Sequence, residues 1–392
     1  MTDTDTIGLR RDRTQRLRAR SRLDRFPRSR PGRWGVSALF ALPFALIAIV
    51  TALAPKSQSG RNDQILNRIA DIDWSRGDPQ WLGQLYPPIP TLIALTVPSA
   101  LGLALIGAAV SGVFLQRILE IIVQRRVPIP TIVILMLALA VNPVFAYITV
   151  ENLPIILALS FFGLGMTDTV RFVRWGNTQA GFNAGVLFML AALSDISALL
   201  YIATLTVTVP FLAAERRHVK SARWANLLVL LFPTASALSA WVVLQLAFTG
   251  APFGAAGADL LGKVDEHLAF LGHLFQTPGG QLLIAPVICS ILIGLIVRSP
   301  GAALGSTLVF AMVLGGYVFG LVSPTAVGST FILMMLLVIA FIPTARRPWA
   351  IVMVDIVGLV LVTIGWWTAL ERPLLTAWTT IVADTVLAII GI

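Results

Sequence analysis

Apolar residues run along this chain in long unbroken blocks separated by short polar connections. A helix needs roughly 20 apolar residues to cross a bilayer. On that measure spanning segments are expected at 36–54, 89–115, 129–148, 154–170, 179–194, 197–214, 224–248, 283–298, 301–322, 327–344 and 349–370, with a further helix at 374–392. The total is about 11–12 transmembrane helices. The blocks do not alternate with a period of two, so strands of a barrel are excluded. Segments 179–194 and 197–214 are short and separated only by "LSDIS"; they can form a hairpin that stops short of a full crossing. The stretch "LQRILEIIVQRRVPIP" (115–130) mixes apolar and basic residues and is expected to lie along the inner membrane face.

Two polar connections are long, 55–88 and 249–282. In the first, "NDQILNRIADIDWSRGDPQWLGQLYPPIP" (62–90), Ile65, Leu66, Ile69 and Ile72 recur at helical spacing among Asp63, Asn67, Arg68 and Asp71. The pattern predicts an interfacial helix with its apolar face in lipid. Trp74, Trp81 and Tyr86 suit the head-group level. Pro87 and Pro88 then force an extended entry into the next segment. The second connection contains "ADLLGKVDEHLAFLGHLF", a similar helix with Leu260, Leu261, Val264, Leu268 and Leu271 on one side.

Composition turns this pattern into a class. The chain has 392 residues, 57% hydrophobic and 12% charged, against about half apolar and a quarter charged in soluble domains. The fold class is an all-α polytopic membrane protein with interfacial juxtamembrane helices in two long loops. The one cysteine, Cys289, lies in an apolar run, so neither a disulfide nor a cysteine metal site can form.

Charge then orients it. Eleven of the 29 basic residues, all arginine, fall in the first 35 positions. This placement is what holds an N-terminus in the cytoplasm, and it argues against nucleic acid as the reason for the net charge of +10. Such an arm can also meet anionic lipid head groups or a cytoplasmic partner. It is polar and carries Pro27 and Pro31, so disorder is expected over 1–35. The alternation of segments then puts 23 basic residues inside and six outside (Lys56, Arg61, Arg68, Arg76, Lys263 and Arg372). The domain reading is the arm 1–35, a core 36–250 that includes the loop 55–88, an outer loop 251–282 with its interfacial helix, and C-terminal membrane helices 283–392. Lysine occurs only three times, an arginine bias that points to a GC-rich genome.

Candidate chemistry gathers outside the membrane. The acids Asp63, Asp71, Asp73, Asp78, Glu151, Asp195, Asp259, Asp265, Glu266 and Glu371 all fall there, and Asp355 lies well inside a predicted helix. An extracytoplasmic site would be built from the two long loops and the turns at 149–153 and 194–197. Lys263 and His267 are cations or potential cations near the surface, suited to a phosphate. His267 and His273 lie six residues apart, which is not the spacing of a helical metal pair. Asp71 and Asp73 form a D-x-D that could take a divalent ion or an acceptor, a common tripeptide that leaves the expectation at no metal and no cofactor.

The order of a spanning helix, the early Asp63 and "NRIADIDWSRGDPQWLGQLYPPIPTLIA" (67–94) resembles the GT-C superfamily of membrane glycosyltransferases, as do "NPVFAYITVENLPIILAL" (142–159) and "RFVRWGNTQAGFNAGVLFMLAALSDISALLYI" (171–202). The likeness covers roughly 36–250, and rests on order and spacing rather than on one motif. It implies transfer of a sugar from a polyprenyl-phosphate donor to a lipid or glycan acceptor, on the outer face of a bacterial plasma membrane, as part of cell-envelope biogenesis. Asp63 matches the family's catalytic acid, and Glu151 sits where many members carry a second one. Arg61, Arg68 and Arg76 are then candidates to hold donor phosphate or acceptor, with Asp71, Asp73, Tyr86, Lys263 and His267 as further substrate contacts; the arginines can equally pair with neighbouring aspartates. An attacking sugar hydroxyl needs a general base, a carboxylate near a low-dielectric interface has its pKa raised, and a departing lipid phosphate needs cations. Gln64 follows Asp63 where many relatives place a second acid, and there is no large C-terminal outer domain. That favours a small or lipid-linked acceptor, or a binding domain on a partner membrane protein. Two other classes remain open: a transporter or flippase of lipid-linked sugars, and a non-catalytic membrane subunit.

Overall fold

The structure is a computed structural model. It describes residues 26–54, 60–72, 85–175, 177–212, 220–250, 264–281, 284–296, 300–322, 332–333, 336, 348–371 and 373–391. The segment expected at 327–344 falls largely outside them, as do most of the arm, Asp73, Arg76 and Lys263.

The described residues form helices and no strands. In chain order these are α1 (Arg30–Leu53), α2 (Arg61–Ala70), α3 (Pro88–Thr96), α4 (Ala100–Gln124), α5 (Ile129–Ala140), α6 (Pro143–Glu151), α7 (Leu153–Trp175), α8 (Thr178–Ser194), α9 (Ser197–Leu212), α10 (Lys220–Thr249), α11 (Val264–Gln276), α12 (Ala285–Ile296), α13 (Pro300–Val318), α14 (Pro348–Glu371) and α15 (Pro373–Ile390), with a single turn at Pro278–Gln281. The protein is an all-α polytopic membrane protein. Among the described residues six helices (α1, α4, α7, α10, α14 and α15) are each long and apolar enough to cross a membrane, or seven if the bent pair α5–α6 is one span. Shorter apolar helices stand at α8, α9, α12 and α13.

Aromatic side chains mark the depth of the layer. On α14, Trp349 is exposed near one end and Trp366 and Trp367 near the other. At 1.5 Å per residue they lie about 26 Å apart, close to the thickness of a hydrocarbon core. Trp34 and Trp224 are exposed at the first turns of α1 and α10, as head-group tryptophans are.

Local sequence explains where helices begin and stop. Ser29 caps α1, its Oγ accepting from the Gly32 amide at 3.2 Å, with Pro31 in the first turn. The helix therefore starts before the expected position 36. The expected span 89–115 is two helices. Pro98 drives Val97 out of the helical region (φ −130°, ψ 78°), and Ser99 caps a new helix through the Gly102 amide at 3.0 Å. The expected span 129–148 is likewise broken, bending by 48° where Asn142 caps α6 ahead of Pro143.

The stretch 115–130 departs from expectation. It is not a surface helix, because α4 runs on as one rod to Gln124 with Ile118, Ile121 and Ile122 buried. Its polar groups are satisfied within the bundle. Gln116 Nε2 donates to Glu120 Oε1 at 2.8 Å and to the Phe26 carbonyl at 2.9 Å, while Arg117 pairs with Glu120 Oε2 at 2.7 Å. A carboxylate with that many donors can be fully buried, as Glu120 is.

Helices in lipid gain little from hiding apolar surface, so close packing must hold them. Gly112 of α4 lies on the Ser37 carbonyl of α1, and Gly185 of α8 faces the Pro233 ring and the Leu230 carbonyl of α10. Phe114 stacks with Phe145, Phe44 meets Phe145 edge-on, and Phe162 packs with Phe188 and Tyr201. α6 is buried along its whole length up to Glu151, so the centre of the bundle is α6 with α1, α4, α7, α14 and α15 around it.

Candidate functional site

The break between α6 and α7 leaves backbone groups without helical partners. Pro154 follows it, and Asn152 adopts φ −141°, ψ 73°. α2 supplies what is missing. Asn62, almost fully buried, donates from Nδ2 to the Val150 carbonyl at 2.8 Å and accepts at Oδ1 from the Leu153 amide at 2.9 Å. Asn152 Oδ1 accepts from the Ile155 amide at 3.3 Å. One side chain thus bridges both sides of the break. Gly60, which caps α2, lies against the Glu151 carboxylate, and a Cβ there would make that side chain shift.

This docking corrects the expectation that the apolar face of α2 lies in lipid. Ile65 and Ile72 are buried against the bundle, because the face carries Asn62 in line with them and Asn62 needs partners that lipid does not offer. Asp63 stands next to that clamp and is half-buried. The acid expected as base and the second acid, Glu151, are therefore carried by elements bonded directly to each other.

Two arginines and a tyrosine extend the cluster. Arg61 Nη1 donates to Gln64 Oε1 at 3.0 Å, and Arg68 Nη1 donates to the Tyr86 carbonyl at 2.7 Å. The Tyr86 hydroxyl donates to the Ala192 carbonyl of α8 at 3.1 Å, and its ring lies 6.1 Å from that of Trp241 on α10. Tyr86 is a strut joining the connection before α3 to α8 and α10. Asp195 lies in the turn between α8 and α9, where Oδ1 accepts from the Ser197 amide at 2.9 Å.

The electrostatics bind these groups into one neighbourhood. Burial lowers the pKa of Arg68, helped by the charge on Arg61. Burial pushes the Asp195 carboxyl up, partly offset by the Ser197 hydrogen bonds and by Arg61. Burial raises the Tyr86 phenol, and Asp195 adds to it. Arg61 thus acts on both Arg68 and Asp195, and Asp195 on Tyr86. Two cations and several carboxylates share a partly dry neighbourhood, where Coulomb energies exceed those in water. That arrangement can receive a phosphate at its arginines and hold a proton acceptor beside it.

The remaining expected residues lie elsewhere. Asp71 ends α2 in an exposed position. Its D-x-D partner, Asp73, lies outside the described residues, as do Arg76 and Lys263. No group of three metal-ligating side chains is gathered among the described residues. His267 sits on α11, its Nδ1 3.1 Å from the Val318 carbonyl and its ring 4.9 Å from that of Tyr317. It belongs to the α11–α13 contact and not to the α2 cluster.

Three members escape a reading of the sequence alone. Asn62 had a signal, since it occupies the apolar stripe of α2 three residues before Ile65 and is polar. Trp241 had none. Asp195 is visible as a loop acid, but its nearness to Arg61 and Tyr86 arises only from packing. Comparison with known protein families, with characterised proteins and with solved structures finds no match.

Proposed function

We propose that the α2 cluster is the active site of a membrane glycosyltransferase that uses a polyprenyl-phosphate sugar. The observation that carries the reading is the Asn62 clamp. It fixes a juxtamembrane helix bearing Asp63 onto the break that bears Glu151, beside Arg61 and Arg68. In this reaction Asp63 takes the proton from an acceptor hydroxyl as it attacks the anomeric carbon, and Glu151 assists. The bond to the lipid phosphate breaks with inversion. Arg61 and Arg68 stabilise the charge that grows on the phosphate. The hydrocarbon tail of such a donor stays in the bilayer, so only a shallow polar rim at the membrane surface is needed. The excess of basic residues at the Arg30 end supports an orientation with the α2 end outside the cytoplasm, which suits a bacterial plasma membrane and an envelope glycan or lipid as acceptor.

The test incubates the purified protein with radiolabelled polyprenyl-phosphate sugars and a membrane lipid extract, beside Asp63→Asn. Transfer by the wild type that drops in the variant by about 100-fold or more is expected for loss of a general base. Transfer that survives the substitution removes Asp63 as the base. No transfer with mannosyl, arabinosyl or other donors favours the non-catalytic subunit instead.

A further inference from the structure

α15 is the spanning helix that the rest of the protein covers least. Only 6% of its membrane window is buried, against 78% for α7. Its anchoring lies in its first turns, where Leu375 is buried and Trp378 meets Tyr147 edge-on at 5.5 Å. Beyond them Thr380, Asp384 and Leu387 recur at spacings of four and three, and all are exposed. They share one face of the helix, with the small Ala383 alongside, also exposed.

Asp384 makes that face unusual. It lies eleven residues beyond Pro373, the first residue of α15, or about 16 Å along the axis. That depth is near the middle of the hydrocarbon layer. Among the described residues it has no hydrogen-bond or ion-pair partner. A carboxyl facing acyl chains is costly and is kept where another helix satisfies it. Lipid head groups do not reach that depth. A second copy of this chain is poorly suited, because among the described residues its basic side chains lie at helix ends, save Arg117, seven residues inside the end of α4, which is already paired with Glu120 at 2.7 Å.

We propose that the exposed face of α15 receives a spanning helix of a different membrane protein, which carries a Lys or Arg at the depth of Asp384. Thr380 and Ala383 let the two backbones approach closely, and the cation pairs with the carboxylate out of contact with water. The proposal does not depend on the chemistry proposed at α2.

The test reconstitutes the full chain in proteoliposomes with a synthetic polyleucine spanning peptide that carries either one central Lys or none. A donor dye at Ile390→Cys, an exposed position, reports energy transfer to a dye on the peptide; the native Cys289 is buried and escapes labelling. The Lys peptide should bind at least tenfold more tightly than the all-Leu peptide. That preference should vanish in Asp384→Leu and Asp384→Asn, which should fold normally since the side chain is exposed. Equal binding of the two peptides, or a preference that survives Asp384→Leu, overturns the proposal. So does Asp384-dependent energy transfer between two differently labelled copies without peptide, which would assign the face to self-association.

Discussion

The helices α2 and α11 look alike in the sequence and are used differently in the fold. Each is a short amphipathic helix in a long polar connection, with a few acids, a potential cation and leucines or isoleucines at helical spacing. α2 is locked into the bundle, and α11 leans on the end of α13. The difference rests on one residue type at one position. α2 carries an amide on its buried stripe, and that amide meets two backbone groups that a helix break leaves free. α11 offers a half-buried histidine to a single carbonyl. An amphipathic pattern says that a helix will lie at a surface; a polar residue within the apolar stripe tells whether it will be bound there.

The largest test of that contrast removes each anchor. Asn62→Leu strands the Val150 carbonyl and the Leu153 amide in a dry setting, at a cost of about 1–3 kcal/mol for each unpaired group. The detergent-solubilised protein should melt several degrees lower, and the Leu153 amide should lose protection from hydrogen exchange. His267→Ala should cost about 1 kcal/mol or less and leave exchange at Leu153 unchanged. Comparable losses in the two variants would erase the distinction.

A smaller effect is expected at the start of α2. Gly60→Val places a branched side chain against the Glu151 carboxylate and should destabilise by about 1–3 kcal/mol, the usual cost of overfilling a packed site. Gly272→Ala on α11, where a Cβ meets nothing within 4 Å, should be close to neutral or mildly stabilising. Thermal melts of the two proteins side by side measure this.

The smallest effect concerns pH. Burial holds Asp195 above the ordinary carboxylate range, so the folded chain binds that proton more tightly than the unfolded one. Its contribution is full below about pH 4, where the unfolded carboxyl is also protonated, and is lost as pH rises through the raised native value. Asp195→Asn keeps an oxygen to cap α9 and should flatten that part of the stability curve. An unchanged slope would mean that Asp195 is not held in a dry environment.

Much of the architecture was legible because lipid demands it. Spans need long apolar runs, and α1, α7, α10 and α14 stand within a few residues of the segments expected at 36–54, 154–170, 224–248 and 349–370. The breaks were harder. Pro98 and Pro143 are visible as letters, but a proline in a membrane segment can bend a helix or end it, and neighbouring helices decide which. The stretch 115–130 is not the surface helix its mixed character suggests, because the buried carboxylate of Glu120 depends on Gln116, Arg117 and the chain at Phe26 converging, and only two of these are near it in sequence. The candidate site was half legible. Asp63, Glu151, Arg61 and Arg68 stand out as polar residues at the edges of apolar runs, whereas Asn62, Trp241 and the link from Tyr86 to α8 come from tertiary packing across 88 and 106 residues of chain.

The most direct measurement places the two helices in one assay. Sugar transfer from a labelled polyprenyl-phosphate donor is followed for wild type, Asp63→Asn and His267→Ala in the same proteoliposomes. The account predicts that Asp63→Asn reduces the rate by about 100-fold or more and that His267→Ala leaves it within about twofold, since His267 takes no part in the α2 cluster. Transfer that persists in Asp63→Asn and collapses in His267→Ala would contradict it and move the chemistry to α11.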